Sequence, residues 1–326
     1  MDATPTVTFL IPAYNAAATL GASLTSALQQ SRPADEILVI NDGSTDATAD
    51  ILAAMHDPRL HVVTQTNQGL AATLNRGIEL AKGTYIARLD SDDIALHERL
   101  GDQLAFMEAN SSVALLGTWA QVYVRETPSD RFHRHPTESN TLKLELLFDN
   151  PFVHSSVMYR RDVVRQLGGY RVEQQMRIPE DYEFWSRIAR THEIRNLPVV
   201  HTIYREMPNS ITRLNADDIL NNVIAISTDN LQFVLPDLSR AACSDLARLY
   251  HGRPLISREA IAIRAIGLWR RAALATGGPS QRWTPQFRTR YRLAQRRLLV
   301  HAIRQALPRP VIKLLRQVRR FLRPKT

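Results

Sequence analysis

An α/β fold with a parallel sheet, followed by a basic helical extension, is what this 326-residue sequence predicts. Three observations carry the prediction. Strand and helix signals alternate through the first ninety residues, as repeated right-handed strand–helix units do. The strand signals end on polar or acidic turns that would share one edge of such a sheet. From about Ala216 onward the pattern turns helical, and the balance of charge reverses toward the C-terminus.

The elements follow in order. Val7 to Ile11 is an apolar run closed by Pro12, and Asn15 or Thr19 can start a helix that reaches about Gln30. Glu36 to Ile40 is a strand signal, and Asn41-Asp42-Gly43-Ser44 is a turn. Asp46 can cap a helix through Met55. Leu60 to Val63 reads as a third strand, Leu70 to Ala81 as a helix, and Tyr85 to Leu89 as a fourth strand. These strands end at Pro12, Asn41, Thr64 and Asp90, so Tyr14, Asp42 and the residues after Leu89 should converge on one crevice, where open α/β sheets bind ligands. His97 to Asn110 is a helix and Val113 to Gly117 a strand with a second one through Arg125. Thr127 to Thr137, which contains two prolines, reads as a surface loop. Ser156 to Tyr159 resembles a strand, and Glu180 to Arg190 is a helix. The helical tail is interrupted near Pro236, Gly277-Gly278-Pro279 and Pro308.

Composition narrows the class. An apolar fraction of 44% fits a packed core. No run of about 18 apolar residues marks a membrane span. Met1-Asp2-Ala3-Thr4-Pro5 lacks the pattern of a secretory leader. The single cysteine, Cys243, excludes an internal disulfide and a multi-cysteine zinc site. A cytoplasmic location, possible at the inner face of the plasma membrane, is the resulting expectation. The net charge of +9 hides a division. Residues 251–326 hold 19 of the 41 basic residues and one of the 32 acidic ones, a net of +18, which leaves −9 in residues 1–250.

The acidic cluster Asp90-Ser91-Asp92-Asp93 is the strongest chemical signal. Three carboxylates within four residues repel one another, and a bound cation or a wet cleft offsets that repulsion best. A solvated acidic turn is the bland alternative. Neither a G-x-G-x-x-G loop nor a P-loop lysine is present, so a phosphate must be neutralised another way, and a cation on this cluster would do it. His133 and His135 share a loop, which reads as an exposed acceptor loop rather than a metal site. His154 reads as a polar core residue.

Phe9-Leu10-Ile11-Pro12-Ala13-Tyr14-Asn15, the turn from Asn41 to Asp46, Asn67 to Ile78, and Leu89 to Asp93 follow one another in the order of family 2 glycosyltransferases. The segments His154 to Arg161, Gly168-Gly169-Tyr170 and Glu180 to Arg187 extend the resemblance, which covers roughly residues 5–212. It implies a GT-A fold in residues 1–212, with residues 213–326 as a basic helical extension. It also implies inverting transfer of a sugar from a nucleotide-diphosphate donor, a UDP-sugar first, to a hydroxyl on a glycan or lipid-linked glycan. By similarity Pro12, Tyr14, Asn15, Asp42, Asn75, Asp90 and Ser91 would bind the donor, with Asp42 accepting from the base. Asp90-Ser91-Asp92 resembles the family's D-x-D motif, so Asp92 and Asp90 would hold Mn²⁺ or Mg²⁺, and Asp181 would be the general base. Two positions depart from the pattern. Met207 stands where a metal-ligating histidine often follows a Tyr-Arg pair, and thioether suits a hard cation poorly. Leu74 stands where an arginine often precedes the motif asparagine, with Arg76 or Arg88 as the candidates for the missing charge.

Two other classes compete. A sugar-phosphate nucleotidyltransferase would want a glycine-rich basic loop after the first strand, and Pro12-Ala13-Tyr14-Asn15 is not one. A degenerate sugar-nucleotide fold serving as a membrane- or nucleic-acid-binding scaffold would have lost Glu180-Asp181 or the acidic cluster. In the tail, Val311, Leu314, Leu315, Val318 and Leu322 take one helical face and Lys313, Arg316, Arg319 and Arg320 the other, the pattern of an interfacial helix on an anionic membrane. A solvated face packed on the catalytic domain is the alternative. Nucleic acid is not expected, since no recognisable module interleaves basic and aromatic residues.

Overall fold

Strand β1 (Val7–Ala13) is buried along its whole length, as is β2 (Glu36–Asn41), so both faces of the sheet are covered there. A computed structural model describes residues 5–124, 126–172, 179–206, 216–256 and 261–306. β3 (Leu60–Thr64) and β4 (Tyr85–Arg88) complete a parallel core in the order β3-β2-β1-β4. Between them run α1 (Leu20–Leu28), α2 (Thr48–Ala54) and α3 (Leu70–Leu80), the crossovers that the alternating signals predict. α3 approaches β1 closely: a Cβ on Gly77 would lie 2.2 Å from a methyl of Leu10, so glycine permits this packing. One polar group inside the core is matched with care. Buried Glu36 accepts the Thr8 hydroxyl at 2.6 Å and the Lys82 amide at 2.9 Å.

Beyond β4 the sheet becomes mixed. After β5 (Ile94–Ala95) and α4 (Arg99–Ala109) come β6 (Val113–Val124), β7 (Thr127–His133), α5 (Ser139–Glu145), β8 (Met158–Arg160), α6 (Arg161–Gln166), α7 (Glu180–Thr191) and β9 (Glu193–Glu206). The nine-stranded order is β3-β2-β1-β4-β8-β6-β9-β5, with β7 paired to the second half of β6.

Three expectations change. The segment from Thr127 is a strand, not a loop: it pairs antiparallel with β6, placing Pro128 opposite Tyr123 on an outer strand where a missing N–H is tolerated. The two strands expected over 113–125 are one. The strand signal at Ser156 starts late, because His154–Ser156 is a 3₁₀ turn. Strand β9 carries no clean alternation in sequence. It runs parallel to β6 and bulges around Pro198, where Leu197 faces Thr118 and Val200 faces Trp119.

The chain divides into two compact units, residues 1–143 with 150–222, and residues 144–149 with 223–326. The first contains the sheet. The second is helical: α8 (Ala216–Val234) enters it, followed by α9 (Arg240–Tyr250), α10 (Ile261–Gly277) and α11 (Pro285–Ala306). Its centre stacks Phe148 on Tyr250, with ring centroids 4.0 Å apart, and sets Phe148 against Trp269. The segments around Met207 and from Val311 to Leu322 lie outside the described residues.

Candidate active site

The polar turns meet at the carboxyl ends of β1, β2 and β4, as their positions in a parallel sheet require. Pro12 is buried near the end of β1, and Tyr14 just beyond the strand is 53% exposed at the rim. Asn15 adopts a positive φ of 49° and lashes the neighbouring turn: its amide donates to Ser44 Oγ at 3.0 Å and its Oδ1 accepts the Thr45 amide at 2.8 Å. Asp42 is buried. Its carboxylate accepts Gln65 Nε2 at 2.7 Å, the Gln68 amide at 2.9 Å and the Gly69 amide at 2.9 Å. Its visible work is thus to fold the loop before α3 against the end of β2. Asn75 braces another loop. Its Nδ2 donates to Tyr170 O at 2.7 Å and its Oδ1 accepts the Tyr170 amide at 2.7 Å. Gly169 has φ +66°, and a Cβ there would stand 2.3 Å from Asn75 Oδ1.

At the end of β4 the acidic residues gather. Ligand oxygens from Asp90, Asp92 and Asp93 all lie within 4.8 Å of one another. Ser91 is half-buried between them. The Ser155 hydroxyl accepts the Asp90 amide at 2.9 Å, while Asp90 O accepts the Ser23 hydroxyl at 2.8 Å, so the turn is fixed from two sides. Buried Asp93 accepts the Arg205 amide at 2.8 Å. Burial, then the Asp90 charge, push the Asp92 carboxyl up to about 6; burial with Asp90 and Asp92 push Asp93 well above the carboxylate range.

Behind this cluster sits a fully buried cation. Both terminal nitrogens of Arg88 grip the two oxygens of Asp90 in a forked pair. The same charge also draws Asp92, Glu180 and Asp181 toward ionisation and holds down protonation of His154. A second buried guanidinium, Arg99, donates to Arg88 O, Ser155 O and Val157 O, tying β4 to the 3₁₀ turn. Burial and the neighbouring Arg88 push Arg99 down to about 9. Arg76 donates at 2.8 Å to Oε1 of Gln65, the residue whose Nε2 meets Asp42.

The acidic pair opens α7, where carboxylates meet the positive end of the helix. Asp181 accepts Asn150 Nδ2 at 2.7 Å and the Tyr182 amide at 2.7 Å. Burial raises its pKa, and these two donors with Arg88 oppose the rise. Glu180 is pushed up to about 8 by burial and by Asp181, with the Asp90 charge adding to the effect. The two neighbouring carboxyls are therefore unequal: burial and the Asp181 charge favour the proton on Glu180, while the Asn150 and Tyr182 donors favour an ionised Asp181. His154 is half-buried beside them, Nε2 at 3.0 Å from the Tyr170 hydroxyl and Nδ1 at 3.8 Å from Glu180 Oε1. Burial and Arg88 keep its imidazole neutral, so this is no ion pair.

Arg88 thus forks onto one acid of the triad while its charge reaches a second acid pair. The model of glycosyl transferase family 2 matches residues 8–168. A Haemophilus influenzae glycosyltransferase, itself uncharacterised, is 30% identical across 70% of this chain and 88% of its own length. The chain belongs to glycosyltransferase family 2. The amylovoran biosynthesis glycosyltransferase AmsE of Erwinia amylovora is 35% identical over 54% of the enzyme and 66% of its own length. Among solved structures, residues 1–349 of TarS from S. aureus, in complex with UDP-GlcNAc, superpose with a TM-score of 0.59 at 17% identity, covering 91% of the enzyme and 89% of TarS. That likeness shows the GT-A fold of the glycosyltransferase, with its helical C-terminal region.

Of the residues singled out in sequence, Asp90, Asp92 and Asp93 stand together, with Glu180 and Asp181 coupled to them through Arg88. Tyr14, Asn15 and Asp42 cluster at the ends of β1 and β2, and Asn75 holds the Gly169 turn. Sequence reasoning missed Asn150 and Ser155 as partners of Asp181 and Asp90. Nothing local marks Asn150, since its partner is 31 residues away. Ser155 lay within a recognised motif but without a role.

Proposed function

We propose that this glycosyltransferase moves a sugar with inversion from a nucleoside-diphosphate donor, a UDP-sugar first, to a hydroxyl of a glycan or lipid-linked glycan. The observation that carries this reading is the close cluster of Asp90, Asp92 and Asp93, gripped by a buried Arg88 whose charge also reaches Glu180 and Asp181. The cluster fits a divalent cation: its donors are hard carboxylate oxygens, close together, and burial and mutual repulsion already disfavour their charge. Asp92 and Asp90 would hold Mn²⁺ or Mg²⁺, which when bound would offset charge on the departing diphosphate. Tyr14 and the turn shaped by Asn15 and Asp42 face the nucleoside in this reading, with Pro12, Asn75 and Ser91 framing the donor. Asp181, kept the more acidic of its pair, accepts the proton of the acceptor hydroxyl as that oxygen attacks. Such general-base help is worth roughly 10²–10⁴ in rate.

Calorimetry with UDP-, GDP- and dTDP-sugars, with and without Mn²⁺, tests the donor and the cation together. Asp92→Ala should lose the Mn²⁺-dependent part of donor affinity while keeping its melting temperature; an unchanged affinity sinks the metal assignment. Asp181→Asn should bind donor normally yet lose transfer by roughly 10²-fold or more, and near-normal turnover would remove Asp181 as the base.

A further inference from the structure

Helix α11 carries two apolar rows where a helix at the edge of a bundle needs one. Phe287, Leu298 and Ala302 are buried and supply the inner row. On the opposite side Leu293, Leu299, Val300 and Ile303 are exposed by 54%, 47%, 36% and 44%. Between them, at positions that share that side, stand the exposed Arg288, Arg292, Arg296 and Arg304. The other two arginines of the helix are engaged: Arg290 meets Glu145 at 3.0 Å, and Arg297 lies over the Tyr250 ring. The four on the outer side have no ion-pair partner among the described residues. Residues 261–306 as a whole contain ten arginines and no aspartate, glutamate or lysine. Ile263 on α10 is 86% exposed as well.

An ordinary solvated face mixes charges of both signs and keeps aliphatic side chains scarce. Here aliphatic groups and guanidinium groups are interleaved on one face with no acidic residue among them. We propose that this outer face of α11 docks the enzyme on an anionic lipid bilayer, with Leu293, Val300 and Ile303 entering the headgroup layer and Arg292, Arg296 and Arg304 binding lipid phosphates. Guanidinium groups on long stems reach upward to the phosphates while their methylenes stay beside the aliphatic side chains. A soluble polyanion such as RNA would use the arginines but not the aliphatic row, and it would want exposed aromatic surfaces for stacking. The aromatic residues near this helix instead turn inward, with Phe287 buried and Trp283 and Tyr291 packed on each other. No described helix is long and apolar enough to cross a membrane, so the contact is interfacial. The proposal is independent of the reaction assigned above.

Co-sedimentation of the full chain with vesicles tests it, using phosphatidylcholine alone and phosphatidylcholine mixed with phosphatidylglycerol. Binding is expected only to the anionic vesicles and should weaken as salt is raised. The triple change Arg292→Gln, Arg296→Gln, Arg304→Gln should lower partitioning roughly a hundredfold. Leu293→Ser, Val300→Ser, Ile303→Ser should lower it about tenfold or more while leaving the melting temperature near that of the parent. Retention of parental binding by either variant overturns the proposal, as does an absence of binding to both vesicle types. Heparin binding that matches vesicle binding in strength, and that the serine variant leaves unaltered, would assign the face to a soluble polyanion instead.

Discussion

Arg88 shows how much a single side chain can organise. One buried guanidinium forks onto Asp90 and draws three further carboxyls, Asp92, Glu180 and Asp181, toward ionisation. Its value lies less in the strength of one ion pair than in what its removal would leave behind, a buried acid cluster without a counter-charge. Arg88→Gln is therefore expected to destabilise the fold by about 3 kcal/mol and, by unlocking Asp90, to weaken Mn²⁺ binding measured by calorimetry. Arg88→Lys should recover part of the stability but less of the metal affinity, because an ammonium cannot fork onto both oxygens. A Gln variant with unchanged urea midpoint and unchanged Mn²⁺ affinity would show the arginine to be a bystander. In sequence Arg88 was one of two candidates for the charge missing at Leu74, and nothing local separated it from Arg76, because burial has no local signature.

At the scale of elements, the first half of the sheet was legible and the second was not. β1 to β4 were readable because each is a short apolar run between turn residues, and a parallel core then fixes which ends share an edge. β7 and β9 were not, since Pro128 and Pro198 interrupt the alternation that marks a strand. Only pairing with β6, dozens of residues away for β9, explains them. The site divides in the same way: Asp42, Asp92 and Asp181 were visible as motif residues, whereas the loops that hold them were not. The Gly169 turn illustrates the hidden half. Asn75 on α3 closes on the backbone of Tyr170, whose hydroxyl meets His154, so a helix far from the acidic pair sets the wall beside it. Gly169→Ala should cost about 2 kcal/mol in chemical denaturation, from a strained positive φ together with the broken Asn75 hydrogen bonds. Asn75→Ala should overlap with it, so that the double variant loses less than the sum of the singles. Strict additivity would mean that the two residues do not act on one turn.

For the whole molecule, buried acids set the response to pH. Glu180 is pushed up to about 8 and Glu145 up to about 7, both chiefly by burial. Each has a folded pKa above its unfolded value, so between roughly pH 4.5 and 8 the folded state binds more protons than the unfolded one. Stability from these two groups must then fall as pH rises. His154, His201 and His251, whose pKa values desolvation lowers, act in the opposite sense below about pH 6.5 and drop out above it, where both states are neutral. From pH 7 to 8 the raised acids dominate, because Arg99, held down to about 9, opposes them only as the pH nears that value, and the melting temperature should decline. Glu180→Gln should flatten that decline, and a parent curve that rises over this interval would contradict the assigned protonation states. Activity runs the other way at lower pH, since the base Asp181 must be ionised to work: turnover should rise with pH through the raised pKa of Asp181.

Residues 144–149 belong with the helical unit although the chain around them builds the sheet unit. On the ribosome these six residues emerge before residues 150–222, and their companions appear only from Val223 onward. At ordinary elongation rates those 73 intervening residues take roughly 4–15 s to make. For that interval Phe148 must wait without Tyr250 and Trp269, against which its ring later packs. A gene cut after residue 222 would therefore release residues 144–149 without the aromatic partners that Phe148 packs on.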